Sequence, residues 1–299
     1  MSNILKEKEL CRGTGLLLIE AINSNPNGDP DRESDPRIRQ DGHGEISPVS
    51  FKHKIRALIE DKESSLWKED EILKEIAIDK NKFKDNFQIL ESGKTKREDV
   101  QKLIIKKTFL STYWDVRVFG TTFLEEAENS LIRTGVVQFG LGVSLSPINI
   151  ERSTTTKQLA VEDDKEKGMA PLGYRIVQYG LYAMPFFVNA TMAHQTNCTT
   201  QDIELLLQTI PYAYKLNPSY IRSNVNIRHA YYVEHKKARG TFNDFEIIEK
   251  LTPKALLESN TPAKSWKDYD EKALNDSIEE LNDKLEGKTN PIIDLIEYL

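Results

Sequence analysis

The sequence has little of what defines disulfide-stapled, zinc-binding or membrane proteins. Its 299 residues include two cysteines, Cys11 and Cys198, which are far apart and form no paired-cysteine motif. Neither a disulfide framework nor a zinc site is therefore indicated. No apolar run approaches the roughly 18 to 20 residues that cross a bilayer, and residues 1–9 lack the apolar stretch of a signal peptide. We therefore expect a cytoplasmic protein that does not contact a membrane.

The motifs of common enzymes are also missing. There is no P-loop, no G-x-S-x-G, no H-E-x-x-H and no dinucleotide-binding fingerprint. Carboxylates alternate from Asp29 to Asp35, as they do at the start of a calcium-binding loop. The sixth position of that pattern is Ser34 where the turn needs Gly, and the twelfth is Gln40 where a Glu ligand belongs. The residues therefore predict no catalytic group, no cofactor and no metal site.

The net charge of −6 is unevenly distributed along the chain. Residues 242–299 hold 14 Asp and Glu against 7 Lys, whereas residues 1–241 are close to neutral. An acidic chain is on average a poor ligand for nucleic acid, because binding to phosphates favours basic surfaces. The near-neutral part still allows a local basic surface, and the acidic part is expected to face protein or solvent.

The N-terminal part predicts a buried strand, a long loop and a helix. Residues 15–22 are a short apolar run bounded by turn formers, as in a buried strand. Residues 23–44 contain three prolines and three glycines, which excludes regular structure. Ordered loops of this length are uncommon and often functional, so this loop is a candidate site. A helix is expected over residues 51–61, with Ser50 as its N-cap.

The remaining pattern predicts an α+β protein with a ferredoxin-like or RRM-like core. Residues 136–145 and 179–192 have β character, residues 199–214 form an amphipathic helix, and residues 227–235 form a last strand. With the first strand and helix, the order is strand, helix, strand, strand, helix, strand. The expected organisation is an RRM-like domain over residues 1–241 with a peripheral helical insertion at 64–107 and a long β-arm at 146–175, and an acidic, mainly helical C-terminal extension at 242–299 whose helix 266–286 lies outside the core.

Polar side chains in and near the long loop suit contacts with a nucleic-acid backbone. Such contacts need cations and amide or hydroxyl donors but no base-reading code. The candidates are Asn25, Asn27, Ser47, Ser50, Lys52, Arg56, Arg152, Thr155 and Lys157. The residues alone leave an alternative open: Lys52 and Arg56 could be the solvated face of a helix, and residues 25–30 could be a plain turn cluster.

Three segments carry a family resemblance. The loop sequence SNPNGDPDRESDPR begins at Ser24, GHGEISPVSFKHKIR ends at Arg56, and DVRVFG occupies residues 115–120. Together they resemble the backbone subunits of type I CRISPR Cascade complexes, the seventh family of CRISPR-associated proteins, in its Csd or Csh subgroup. The resemblance covers about residues 15–236, and neither the helical insertion nor the C-terminal extension shares in it.

The resemblance implies a non-catalytic subunit that binds guide RNA (crRNA), polymerises along it and presents it for pairing with target DNA. The expected partners are the crRNA, further copies of the chain, and the large and handle-binding subunits of Cascade. The arm would be a thumb that reaches a neighbouring copy, and the helical insertion would form fingers. The RNA-binding residues expected on this basis are Ser24, Asn25, Asn27, Arg37, Ser47, Ser50, Lys52, His53, Arg56, Arg152, Thr155 and Lys157.

Two other functions stay open at this point. In a type III-like backbone subunit, a loop aspartate (Asp29, Asp31 or Asp35) would cut target RNA with a divalent metal. A scaffold that binds no nucleic acid is the third hypothesis. The aromatic R-G-F-G-F-V-x-F pattern, with which a free-standing RRM stacks bases on its sheet, is missing. We therefore expect any RNA to lie elsewhere than on the sheet.

Overall fold

A computed structural model describes residues 9–68, 71–123, 131–158, 169–258 and 260–298. Its strands are β1 (Gly13–Ser24), β2 (Gly28–Asp29), β3 (Asp35–Pro36), β4 (His43–Ile46), β5 (Gly120–Phe123), β6 (Leu131–Thr134), β7 (Val137–Phe139), β8 (Gly142–Pro147), β9 (Ile150–Gln158), β10 (Met169–Val188), β11 (Val225–Glu234) and β12 (Ile293–Asp294). Its helices are α1 (Pro48–Glu60), α2 (Ser65–Lys68), α3 (Glu71–Glu75), α4 (Lys80–Asn86), α5 (Arg97–Ile105), α6 (Phe109–Thr112), α7 (Trp114–Phe119), α8 (Ala193–Thr196), α9 (Thr200–Thr209), α10 (Asp244–Leu251) and α11 (Glu271–Leu285). The predicted α+β class is confirmed.

The central sheet is antiparallel and is built around β1. Its main path runs β12-β11-β1-β10-β8-β4, and β7 and β9 also pair with β10. Successive side chains of a strand point to opposite faces, so a strand that is apolar throughout must be covered on both sides. Leu16, Leu17, Leu18 and Ile19 of β1 are all fully buried, which explains the continuous apolar run in the sequence. Whether the order β11-β1-β10-β8 is RRM-like in detail stays a prediction.

One face of the sheet packs against α1, α9 and the helical insertion. Leu17 and Ile19 share a hydrophobic cluster with Phe51 of α1 and Leu206 of α9. The same cluster includes buried residues of the insertion, namely Trp67, Leu73, Ile76, Ile78, Phe83, Phe87 and Ile89. Residues 67–89 of the insertion are therefore part of the core and not peripheral, whereas Val100 of α5 packs in a separate cluster with Phe109, Tyr113 and Val116. The helices α2, α3 and α4 each contribute one buried apolar side chain, a density that resembles a solvated segment in the sequence.

The other face of the sheet is covered by the C-terminal residues. Leu16 and Leu18 of β1 pack in a second cluster with Leu251 of α10 and with Leu274 and Leu281 of α11. The prediction that the helix near residues 266–286 lies outside the core is therefore wrong. α10 and α11 are amphipathic, so their acidic faces dominate the composition while their apolar stripes cover the sheet.

The first helix begins earlier than predicted. Ser47, not Ser50, is the N-cap of α1, and its Oγ accepts a hydrogen bond from Ser50 N at 3.2 Å. Pro48 occupies the first turn of the helix, where its missing N–H leaves no helical hydrogen bond unmade. The Ser-Pro pair thus moves the helix start by three residues.

The arm is a β-hairpin whose second strand continues into the sheet. β9 pairs with β10 from Ile150 opposite Val177 to Gln158 opposite Met169, whereas the C-terminal part of β10 pairs with β1. Residues 159–168 of the predicted arm lie outside the described residues. No helix in the described ranges has the length and apolar content needed to cross a bilayer.

Candidate nucleic-acid interface

The loop after β1 is held in place by its own side chains. Ser24 and Asn25 are fully buried and Asn27 nearly so. Asn25 Nδ2 donates to Ser34 O at 2.8 Å, and Ser24 Oγ accepts from the backbone N of Asn224 at 3.1 Å. Asn27 Oδ1 accepts from Ser47 N at 2.7 Å, which ties the loop to the start of α1. These three predicted RNA contacts therefore lie inside the loop and shape its backbone.

The loop is also tied to the arm through Asp35. Arg152 donates to Asp35 through Nε at 3.0 Å and Nη2 at 2.6 Å, and Arg175 Nε lies 3.6 Å from the same carboxylate. The hydrogen bond from Arg152 lowers the pKa of Asp35. Arg175 also donates to the carbonyl and carboxylate of Glu33. The carboxylate of Asp35 is therefore ionised and already occupied by cations.

The other loop and arm candidates are dispersed. Arg37 is half-buried, with Nη2 3.7 Å from Asp29 Oδ1, while Asp29 Oδ1 accepts from Asp31 N at 3.3 Å. Thr155 and Lys157 lie on β9, opposite residues 172 and 170 of β10, and their side chains lie outside the described part of the structure. Among the described residues, no three His, Cys, Asp or Glu side chains gather as a metal site would require.

Lys52 and Arg56 lie on the same side of α1 but in different electrostatic surroundings. The Arg56 guanidinium and the Lys52 ammonium lie 5.0 and 5.1 Å from the centroid of the Phe119 ring. Arg56 is buried, with Nε 3.1 Å from Asp115 Oδ2 and Nη1 2.9 Å from Glu91 Oε2. Because Asp115 belongs to α7 and also accepts from the backbone N of Leu90 at 2.9 Å, Arg56 fastens α1 to α7 and to the segment around Leu90.

Lys52, in contrast, forms no ion pair with any residue that the structure describes. It lines an open groove of about 310 Å³ together with Val49, Phe119, Thr134 and Gln138. Burial and the neighbouring Arg56 both lower the pKa of Lys52. Glu91 also lines this groove and opposes the shift, but its carboxylate lies 2.9 Å from Arg56 Nη1. Because Lys52 itself has no ion pair with a described residue, an anion that enters the groove would stabilise its ammonium. Val49 and His53, which follow on the outer face of α1, are exposed.

Sequence reasoning missed a second pair of cations, on the other flank of α1. Lys54 is only 7% exposed, and its ammonium lies 4.8 Å from the centroid of the Tyr214 ring. Burial, with a further contribution from Arg222, lowers the pKa of Lys54 to about 8. Arg222 donates from Nε to the carbonyl of Asn25 at 3.1 Å. The available signal was a lysine on the apolar side of an amphipathic helix.

The loop, the base of the arm and the first helix are thus joined by hydrogen bonds and ion pairs, and Lys52 and Lys54 of the helix form no ion pair with a described residue. This arrangement defines an α+β protein in which a long loop is fixed between the first helix and a β-arm. The sequence model of the family described as "CRISPR-associated protein Cas7" matches residues 11–273. The chain therefore belongs to the Cas7 family of CRISPR-associated proteins, and the resemblance carried by its loop and helix motifs is confirmed.

Similar chains occur in solved structures. A chain of a structure described as "CRISPR RNA-guided surveillance complex, pre-nicking" is 13% identical, with a TM-score of 0.50 over 93% of this chain and 89% of that chain. A chain of a "CRISPR RNA-guided surveillance complex" is 14% identical, with a TM-score of 0.43 over 92% of this chain and 86% of that chain. No curated protein matches the sequence. At such low identity, the likeness to the first of these chains concerns the fold.

Proposed function

We propose that this protein is a crRNA-binding backbone subunit of a type I CRISPR surveillance complex, and that it holds the guide by its sugar-phosphate backbone. The carrying observation is Lys52, an unpaired cation in an open groove beside the N-terminal half of α1. A guide differs from one complex to the next, so its holder needs phosphate contacts rather than base contacts. The coverage of β1 on both faces supports binding away from the sheet.

The proposed roles divide the predicted residues into two groups. The first group would contact RNA, because its members lie at the surface of α1 or at the start of this helix. It consists of Ser47, Ser50, Lys52 and His53. The second group would position the loop, the helix and the arm, because its polar groups form hydrogen bonds or ion pairs within the chain. It consists of Ser24, Asn25, Asn27, Arg37, Arg56 and Arg152. Thr155 and Lys157 would contact the RNA from the arm. Besides the crRNA, we propose three kinds of partner. These are further copies of the chain, the large and handle-binding subunits, and target DNA that is paired to the guide.

Replacing Lys52 should weaken RNA binding in a salt-dependent manner. For Lys52→Ala we expect an affinity for guide-length RNA about tenfold lower, from the roughly 1.5 kcal/mol of a charge-assisted contact. The slope of log K against log salt should decrease by about 0.7 for the lost phosphate contact. Fluorescence anisotropy with two RNAs of unrelated sequence, across a salt series, measures both quantities. The exposed Lys272 of α11 gives a matched control, Lys272→Ala, and an unchanged slope for Lys52→Ala would contradict the proposal.

We further propose that the subunit binds RNA without cutting it. Asp35, a candidate for the enzyme alternative, is held by Arg152 and Arg175, which a divalent metal would have to displace. Assembled complex incubated with complementary RNA and Mg²⁺ should therefore leave the RNA intact on a denaturing gel. Periodic cleavage that disappears in Asp29→Asn, Asp31→Asn or Asp35→Asn would overturn this proposal in favour of the type III-like enzyme.

A further inference from the structure

We propose that Lys54 and Arg222 form a second phosphate-binding site for single-stranded RNA, on the flank of α1 opposite the Lys52 groove. The proposal rests on the RNA-binding function proposed above and adds to it a site of defined chemistry. Lys54 follows Lys52 by two residues, which is a rotation of roughly 200° around a helix of 3.6 residues per turn. One strand of RNA crossing the exposed Val49 and His53 surface would thus meet a cation on each flank of the helix.

The first observation is that neither cation has an anionic partner among the described residues. Lys54 is buried, yet within the described ranges its ammonium has neither a hydrogen-bond acceptor nor a carboxylate partner, only the face of the Tyr214 ring. Arg222 forms no ion pair with a described residue either. Its Nε donates a hydrogen bond to the carbonyl of Asn25. Burying a charge costs free energy unless it is paired. Two adjacent cations without a counter-ion therefore form a site that an incoming phosphate completes.

The second observation is that the chain holds this pair in place. Asn217, in the loop after α9, donates through Nδ2 to the carbonyls of Lys54 at 3.1 Å and Ala213 at 2.9 Å. The same loop is fastened to the loop after β1, because Asn25 N donates to the carbonyl of Ile221 at 2.6 Å. Arg222 is therefore fixed beside α1 by bonds on both sides of the site.

The third observation indicates a nucleic acid rather than a free anion. Tyr220, two residues before Arg222, is 60% exposed, and its ring meets the edge of Tyr174 at 5.9 Å between centroids. The Tyr174 hydroxyl donates to the carbonyl of Asn23 at 3.3 Å, so the pair of rings is fixed to the end of β1, directly before the loop. Grooves that bind single strands combine cations with aromatic faces on which bases stack. Tyr220 would supply that face beside the Lys54 and Arg222 site.

The test measures RNA binding and thermal unfolding of Lys54→Met in the full-length chain. Methionine keeps the straight apolar side chain and removes the charge. We expect an affinity for guide-length single-stranded RNA about tenfold lower, a salt slope lower by about 0.7, and a Tm that does not fall, because an unpaired buried charge is removed. Lys54→Arg should keep the slope. A lower Tm with an unchanged slope would overturn the proposal and assign Lys54 a structural role.

Lys62→Met is the matched control. Lys62 is also a buried lysine over an aromatic ring, but its Nζ donates to the carbonyl of Phe87 at 2.8 Å. Its replacement should leave the salt slope unchanged. Should Lys54→Met fail to fold, Arg222→Gln on the surface loop carries the same test. Tyr220→Ala should lower affinity without changing the slope, and Tyr220→Phe should restore it.

The outcomes separate this inference from the function on which it rests. A slope that falls for Lys52→Ala but not for Lys54→Met or Arg222→Gln overturns the second site and leaves the proposed function intact. Binding by the wild-type chain that is insensitive to salt overturns the proposed function itself. Single-stranded DNA of the same sequence serves as a second probe, and a loss confined to DNA would overturn the assignment of the site to RNA.

Discussion

A chain that ends at Phe242 is expected to aggregate rather than fold, because it lacks the elements that cover the second face of the sheet. That face presents six large apolar side chains, namely Leu16, Leu18, Tyr179, Leu181, Tyr231 and Val233. Each contributes about 1.5–3 kcal/mol when buried, so exposing them costs on the order of 10 kcal/mol. This is comparable with the whole stability of a typical domain, about 5–15 kcal/mol. The recovered fraction after centrifugation and the presence of a cooperative thermal transition measure the effect.

Two point variants calibrate this prediction. Leu281→Ala, at a fully buried position of α11, should destabilise the chain by about 2–5 kcal/mol. Lys272→Ala, on the exposed side of the same helix, should have almost no effect. A truncated chain that still unfolds cooperatively and binds RNA would contradict the assignment of this extension to the core. Deletion is therefore unsuited to testing whether the acidic surface contacts a neighbouring subunit, whereas charge reversals on that surface are suited to it.

Arg117→Met is expected to destabilise the protein by about 3–5 kcal/mol, because it leaves a buried carboxylate without its cation. Arg117 and Asp202 are both buried, and they are joined at 3.0 Å through Nε and at 2.7 Å through Nη2. The remaining donors of Arg117 reach the carbonyls of Leu110 at 2.8 Å and Asn86 at 3.0 Å. Urea unfolding followed by circular dichroism measures the loss.

A double-mutant cycle with Asp202→Asn separates the ion pair from the other contacts of Arg117. The double variant should be less destabilised than the sum of the two single variants, because the buried carboxylate is then neutral. Lys52→Ala, which removes no ion pair with a described residue and only a contact with the Phe119 ring, should leave the urea midpoint almost unchanged. A loss of less than about 1 kcal/mol for Arg117→Met would mean that water replaces the pair at little cost.

The DVRVFG motif, which in the sequence indicated the family, also has a structural role. In the sequence, residues 115–120 served only for recognition. In the fold, Asp115 accepts a hydrogen bond from Arg56 of α1, and Arg117 donates to the carboxylate of Asp202 of α9. The motif therefore joins the two helices that cover one face of the sheet, a role that depends on partners 59 and 85 residues away.

Features set by short-range pattern were predictable from the sequence alone. The apolar run of β1, the turn-rich loop after it, the amphipathic α1 and the Thr199 cap of α9 follow from neighbouring residues, because run length, turn formers and capping groups act locally. The order of elements, and with it the α+β class, followed from the same information. The loop motif from Ser24 to Arg37 was sufficient to indicate the family, which the match over residues 11–273 confirms.

Only the tertiary structure decided which cations have partners and which apolar stripes meet. Lys52, Lys54 and Arg56 lie within five positions of one helix but differ in their surroundings. Arg56 is ion-paired, Lys52 faces a groove, and Lys54 is buried with no anionic partner among the described residues. Their surroundings come from Asp115, Phe119, Tyr214 and Arg222, whose distance in sequence hides them from any local pattern. The assignment of the acidic extension to the core also required the tertiary structure. The sequence shows that a helix has an apolar stripe, but only the fold shows which surface this stripe packs against. The loop that first indicated the family holds the interface in shape, and the unpaired cations beside it are where we propose that RNA binds.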